Sequence, residues 1–334
     1  MSIITVKGKA LIGNKLKSGV FAVTSNGIEE RGDAEPQYSG TIIPAPVNFH
    51  THLGDSFIGE EPVGTLPEIV GPNGFKMRHL NSSDDKKISR GMLKSIEFMN
   101  KLGTYAFIDF REQGVRGIEL IPEFHGIRGI FLSRPSSIEE ARILVQRSYG
   151  FAMSSISDHE YSFLLKLREI ARVNGKLFAI HFSENVRENI DMLLELSPDF
   201  IIHGIEATED EVKRISEKGI YWVITPRSNI FYGKRPDYSK LSRNNAHLLL
   251  GTDNVFVTEP DIFSEMDFLY RYQRGIGRIS PHQIIEMSIT RPREFFKKKG
   301  INIDRERYIL FLEELDEFQI VTRAHMYDYV VFDV

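Results

Sequence analysis

"PAPVNFHTHLGDS", residues 44–56, puts two of the chain's ten histidines, His50 and His52, one residue apart at the end of an apolar run. Residues i and i+2 of a strand point to the same side. A strand here would therefore present two imidazoles together. Such a pair suits a metal, but HxH alone does not establish one. Any further ligands must come from elsewhere in the chain.

Composition narrows the choices. A length of 334 residues fits two ordinary domains or one large barrel, and 41% hydrophobic with 26% charged residues is that of a globular protein. The net charge of -4 offers no basic footprint, so no nucleic-acid partner is expected. The chain has no cysteine, which removes disulfides, thiolate ligands and cysteine nucleophiles together. A metal would have to be held by imidazole and carboxylate, a donor set that suits Zn2+ or Fe2+. The opening "MSIITVKGKALIG" lacks the basic and apolar regions of a signal peptide. No apolar run approaches the ~20 residues of a membrane span. A cytoplasmic protein without a membrane partner is expected.

Strand and helix patterns alternate along the chain. Short apolar runs, read as strands buried on both faces, occupy 41–50, 104–110, 127–133, 150–155, 177–183, 199–204, 220–226 and 247–253. Amphipathic helices are predicted between them at 84–103, 136–150, 159–175 and 208–219, several closing on glycine. "TEDE" from Thr208 reads as a capping box. These patterns predict an α/β fold, a (β/α)8 TIM barrel over 41–304. The flanks, 1–40 and 305–334, read as strands and turns, and the tail from Tyr308 reads as strands again. The two ends are expected to meet in one small β domain.

Barrel enzymes place their chemistry at the C-terminal ends of the strands. Taken in order, those ends offer His50 and His52 (strand one), His181 and Glu184 (five), His203 (six) and Asp253 (eight). The other six histidines fall in loops, helices or strand starts. Each group alone has a plain structural reading. A strand-end histidine can be a hydrogen-bonded packing residue, Asp253 can cap a turn and Glu184 can be a solvated carboxylate. Their convergence on one mouth is harder to explain as packing, because unpaired buried polar groups cost stability. A catalytic metal needs three or four protein ligands and a position for water, whose pKa it lowers towards ~7.

These motifs resemble the metal-dependent amidohydrolase superfamily, in the branch of cytosine deaminase, guanine deaminase and the triazine chlorohydrolases. The resemblance rests on "FHTH", "HFSE", "IIHGIEATEDEV", "TPRSNIFYG", "GTDN" and the closing "YDYVVFDV", in that order from about residue 40 onward. It implies one divalent metal held by His50, His52, His181 and Asp253, with Asp253 also accepting a proton from the water. Glu184 would carry a proton to a ring nitrogen. His203 would polarise the water or substrate, or ligate the metal itself.

Binuclear members carry a bridging lysine or glutamate after strand four. This chain has Ser154 and Ser155 there, with Lys166 deep in the next helix, so one metal is expected. Asp158 and Glu160 leave a second metal open. Arg111 and Arg134 are candidates for gripping a substrate carboxylate or phosphate, or else for ion pairs at the rim. Ser228 and Asn229 are candidate polar contacts to substrate. Residues 58–81 read as a long lid loop from which His79 could approach the substrate. Asn254, where cytosine-specific relatives have a second acid, argues against simple cytosine recognition.

The expected function is a mononuclear metal-dependent hydrolase that deaminates a purine, pyrimidine or related heterocycle, a small-molecule substrate. The same site could instead serve a cyclic amide or a halogenated ring. A barrel that has lost catalysis would have lost ligands. A sugar-phosphate enzyme would want a glycine-rich phosphate loop that neither "TPRSNIFYGKR" nor "GTDNVFVTEP" resembles. Homo-oligomerisation remains open.

Overall fold

The computed structural model describes residues 4–24, 27–32, 34–303 and 305–334. Residues 1–3, 25, 26 and 33 of the expected terminal segment, and residue 304 of the expected barrel segment, lie outside the described residues. The chain begins with β1 (Ile4–Ile12), β2 (Lys15–Thr24), β3 (Gly27–Glu30) and β4 (Tyr38–Pro44). Then come β5 (Val47–His52), β6 (Ala106–Arg111), β7 (Arg128–Ser133), β8 (Gly150–Met153) and β9 (Leu177–Phe182). They are followed by β10 (Phe200–His203), β11 (Tyr221–Ile224), β12 (His247–Leu250) and the short β13 (Asp253–Asn254). The strands end with β14 (Arg307–Phe311) and β15 (Tyr329–Asp333).

β5 to β12 are successive parallel neighbours in one sheet, and β13 pairs with β5. Because β13 continues β12 across two residues, the eighth strand touches both the seventh and the first, and the ring closes. At this seam Gly251 N donates to Ile224 O (3.0 Å) and Thr252 N donates to His50 O (3.0 Å). A Cβ on Gly251 would lie 2.7 Å from the His50 backbone nitrogen, so the seam closes only around a glycine. The expected (β/α)8 barrel is thus the observed architecture. Its helices include Asp85–Lys101, Ile138–Arg147, Tyr161–Val173 and Glu209–Glu217. Thr208 and Glu211 make the anticipated capping box, each accepting from the other's backbone N–H.

The ends of the chain meet as expected. A six-stranded mixed sheet runs β15-β14-β4-β1-β2-β3, with β14 antiparallel to β4 and to β15. Three readings of the sequence are corrected. The run 41–50 is two strands: Tyr38–Pro44 belongs to the small sheet and Val47–His52 to the barrel. Pro44 and Pro46 flank the break, and neither has an N–H for a ladder. The tail contains a helix, Glu317–Arg323, opened by a capping box between Asp316 and Gln319. The loop after strand one contains two short helices, Leu66–Val70 and Phe75–Ser82.

Aromatic side chains fill the barrel below the seam. Phe49 is fully buried and meets Phe200 and Phe295 edge-on at centroid distances of 5.4 and 5.1 Å. Phe110 forms the floor under the histidines, 4.5 Å from the His50 ring and 5.1 Å from His181. No helix among the described residues is long and apolar enough to cross a membrane. Phe49→Ala should cost about 3–5 kcal/mol in urea unfolding, since it removes a large ring that its neighbours cannot replace. A loss below about 1 kcal/mol would contradict the packing described.

Candidate metal centre and active site

The strand ends bring the expected groups together. His50 and His52 share a face of β5, with ring centroids 4.8 Å apart. Between Asn48 and Thr51 the pairing of β5 with β6 shifts register, a local irregularity common beside active sites. His203 and Asp253 close their strands with φ of 68° and 69°, the left-handed region that non-glycine residues seldom occupy. Such strain, about 1–3 kcal/mol per residue, persists only where neighbours impose it. Trp222 Nε1 donates to His203 O at 2.8 Å, and Asp253 is in register with Thr51.

One ligand atom each from His50, His181, His203 and Asp253 can be chosen so that all lie within 4.8 Å of one another. His52 is adjacent: its Nε2 is 3.4 Å from Asp253 Oδ1, and its Nδ1 is 2.6 Å from Glu112 Oε1. The tight group therefore contains His203 where the sequence reading had His52.

Neighbouring groups set the tautomers. His181 Nδ1 lies 2.9 Å from Met153 O. A carbonyl oxygen only accepts, so Nδ1 holds the proton and Nε2 keeps its lone pair for the centre. The opposite holds at His203. The Tyr238 hydroxyl donates to Asn229 Oδ1 at 2.6 Å, leaving the Asn229 amide to donate to His203 Nδ1 at 3.1 Å. His203 Nδ1 is then the acceptor and Nε2 carries the proton, 3.4 Å from Glu184 Oε1.

Burial holds His50 and His181 below the usual imidazole range and takes His52 to about 3, helped there by the Lys76 charge. All three are neutral at pH 7, the state that ligates. Burial works against ionising Asp253, yet the His50 contact at 3.2 Å and the other imidazoles hold its carboxyl well below the usual range. Ser228 Oγ also donates to Asp253 Oδ2 at 2.6 Å. Glu184 is pushed up by burial, against the opposing influence of His203.

The donor set fits a divalent cation. Nδ1 of the fully buried His50 completes no hydrogen bond among the described residues, and His50 Nε2 and His52 Nδ1 meet only carboxylate oxygens, at 3.2 and 2.6 Å. Unsatisfied buried polar atoms cost about 1–3 kcal/mol each. A cation would give at least one of these atoms a partner.

Beside the centre, Glu112 joins a buried charge network. Its Oε1 meets Lys76 Nζ (2.8 Å) as well as His52, and its Oε2 takes Arg111 Nη2 (2.9 Å). Arg111 also pairs with Asp109 at 3.1 Å. Gly54 permits this, because a Cβ there would fall 1.8 Å from Arg111 Nη2.

A cavity of about 270 Å³ opens above the cluster, lined by His52, His181, Glu184, His203 and Asp253 among others. Arg134, Ser154, Ser155, Asp158 and Lys76 also line it, as do residues of the helix Leu66–Val70 and the turn after it. Of the substrate-contact candidates, Arg134 lines this cavity. Arg111, Ser228 and Asn229 do not; they brace Glu112, Asp253 and His203 from behind. His79 faces Glu60 and Phe75 O instead. Lys76 was missed. It lies inside the segment read as a lid loop, and its inward direction depends on Glu112, 36 residues away.

Comparison with known proteins places this geometry. No protein-family model matches the chain. It is 37% identical over 230 residues to a protein of Archaeoglobus fulgidus provisionally named an aminohydrolase, covering 68% of each chain. It is 24% identical over 319 residues to a protein named 5'-deoxyadenosine deaminase from Methanosphaera stadtmanae, 79% of this chain and 72% of that one. Among solved structures, an adenosine deaminase from Xanthomonas campestris with bound zinc superposes with a TM-score of 0.77 at 16% identity, over 96% of this chain and 88% of that one. A guanine deaminase from C. acetobutylicum with bound guanine gives 0.74 at 14% identity, over 96% and 95%. The chain belongs to the metal-dependent amidohydrolase superfamily. It is an enzyme of that class, whose members here are aminohydrolases and deaminases acting on C–N bonds.

Glu112→Gln should destabilise the fold by about 3–5 kcal/mol, because it leaves buried cations without their shared partner. Glu29→Gln, in the exposed pair with Arg31, should leave the melting temperature unchanged. Equal effects would mean that the Glu112 network is not a structural brace.

Proposed function

We propose that the protein is a mononuclear metal-dependent hydrolase that releases ammonia from an aminated purine, pyrimidine or related heterocycle. One observation carries this reading: His50, His181, His203 and Asp253 converge at a cavity of about 270 Å³, with Glu184 in its lining. His50, His52, His181 and Asp253 would hold the metal, Zn2+ or Fe2+. When bound, it supplies Lewis acidity and a water acidified towards neutrality.

The remaining work falls to the chain's own side chains. Asp253, ionised at neutral pH, receives a proton from the attacking water. Glu184, whose carboxyl is held up by burial, carries a proton to the ring nitrogen next to the carbon under attack. His203, with its proton on Nε2, donates to developing negative charge, and its protonated nitrogen suits a donor better than a ligand. Asn229 and Tyr238 hold that tautomer. The cavity walls exclude bulk water and orient the ring. The relative named for 5'-deoxyadenosine makes adenine nucleosides the first compounds to try.

Protein reconstituted with zinc or iron should contain about one metal per chain and release ammonia from at least one member of an aminated-heterocycle panel. Opening of a cyclic amide, with no ammonia from any amine, would replace the deaminase reading. His50→Ala and Asp253→Ala should lose both metal and turnover. Glu184→Gln should keep the metal and lose turnover by about 10²–10⁴-fold. Full activity in that variant would refute the proton path.

A further inference from the structure

Resting on the deaminase reading, the cavity also bears on what the substrate must carry. The reacting end is fixed by Glu184, His203 and Asp253 on one side. Arg134, directly after β7, lines the same cavity. Arg134 Nε donates to Ala152 O at 3.2 Å, which sets the plane of the guanidinium. Its two Nη groups have no hydrogen bond and no ion pair among the described residues. Each neighbouring carboxylate accepts at least one hydrogen bond from elsewhere. Both Glu112 oxygens are taken by His52, Lys76 and Arg111. Asp158 accepts from Ser155 N at 3.3 Å, and Glu188 accepts from Ser157 N and Ser183 N at 2.9 and 2.8 Å.

The Lys76 and Arg111 charges are paired within the network by Asp109 and Glu112. Arg134, the arginine lining the cavity, has Asp158 in the same lining but no ion pair with it among the described residues. Ser154 and Ser155 supply hydroxyls beside it, with Ser154 Oγ 2.8 Å from His159 Nε2. A half-buried guanidinium with a fixed plane and a free edge of two Nη groups matches a planar or tetrahedral oxyanion, which it can bind through two parallel hydrogen bonds. We propose that the substrate is a heterocyclic amine bearing an anionic substituent, a carboxylate or a phosphate, which seats on Arg134 while the amino-bearing carbon lies over the metal cluster. A neutral base would leave that guanidinium desolvated and unpaired.

The test compares neutral and anionic members of the same heterocycles: adenosine and cytidine, their 5'-carboxylates and their 5'-monophosphates, assayed for ammonia with zinc-loaded enzyme. An anionic member should exceed its neutral parent by about 100-fold in kcat/KM, the scale of a charge-assisted pair. Whether carboxylate or phosphate wins names the group. Arg134→Gln should erase most of this preference, chiefly by raising KM for the anionic member. Arg134→Lys, which keeps the charge without the fork, should retain part of the preference and serves if the glutamine variant does not fold. Equal rates for neutral and anionic members, or parallel losses for both in Arg134→Gln, would overturn the inference and leave the deaminase reading standing. If no heterocycle yields ammonia, the deaminase reading fails, and the anion site is read by melting temperature. Stabilisation of wild type by inorganic phosphate or succinate that disappears in Arg134→Gln would uphold it, and no stabilisation would overturn it.

Discussion

The closure of the barrel between its eighth and first strands is the constraint on which the rest depends. Thr252 N is shared between His50 O (3.0 Å) and Asn48 Oδ1 (3.1 Å), and Asn48 Nδ2 returns a bond to Thr252 Oγ1 at 2.8 Å. These groups are fully buried, so each bond replaces one that water would otherwise make. The clasp fixes the relative height of two strands remote in sequence and so sets Asp253 against His50. An aspartate with a left-handed backbone follows because the eighth strand must bend into the mouth directly after the clasp. The carboxylate reaches its place through main-chain bonds rather than through a flexible loop.

A second layer keeps the imidazoles in usable states. Two of them face a group that dictates which nitrogen bears the proton: Met153 O for His181, and the Asn229–Tyr238 relay for His203. Glu112 approaches His52 and holds two cations besides. These supports sit directly after β6, on β8 and in the segment after β11, so the donors of one centre are oriented from several parts of the barrel. Their arrangement is rigid because every supporting side chain is itself buried or hydrogen-bonded.

Much of this was legible in the sequence, for physical reasons. Doubly buried strands leave continuous apolar runs, and polar groups ending such runs stand out. His50, His181, His203 and Asp253 were visible on that basis. The terminal strands were visible from their turn residues. What escaped notice depended on tertiary context. Lys76 lies on an eight-residue helix whose pattern says little, and only Glu112 explains its direction. Ser228 and Asn229 look like contacts to substrate because they follow a strand. The short helix Pro226–Phe231 turns them under the strand ends to serve Asp253 and His203 instead. The break at Pro44–Pro46 was hidden because both halves of the run 41–50 are strands, although of different sheets. The helix 317–323 was hidden because a single turn or two, capped by Asp316, leaves a hydrophobic pattern too short to separate from a strand.

That break has a consequence for how the centre is held. β4 runs almost directly into β5, so the small sheet fixes the entry of the strand bearing His50 and His52. Yet β4 is held on one side by β14, through pairs such as Ile42 with Leu310 and Ile43 with Ile309. The strand that carries His50 and His52 is thus tied through β4 to β1 on one side and to the segment from Arg307 onward on the other. Any loosening of the small sheet would reach the two imidazoles with only Ala45 and Pro46 between the strands.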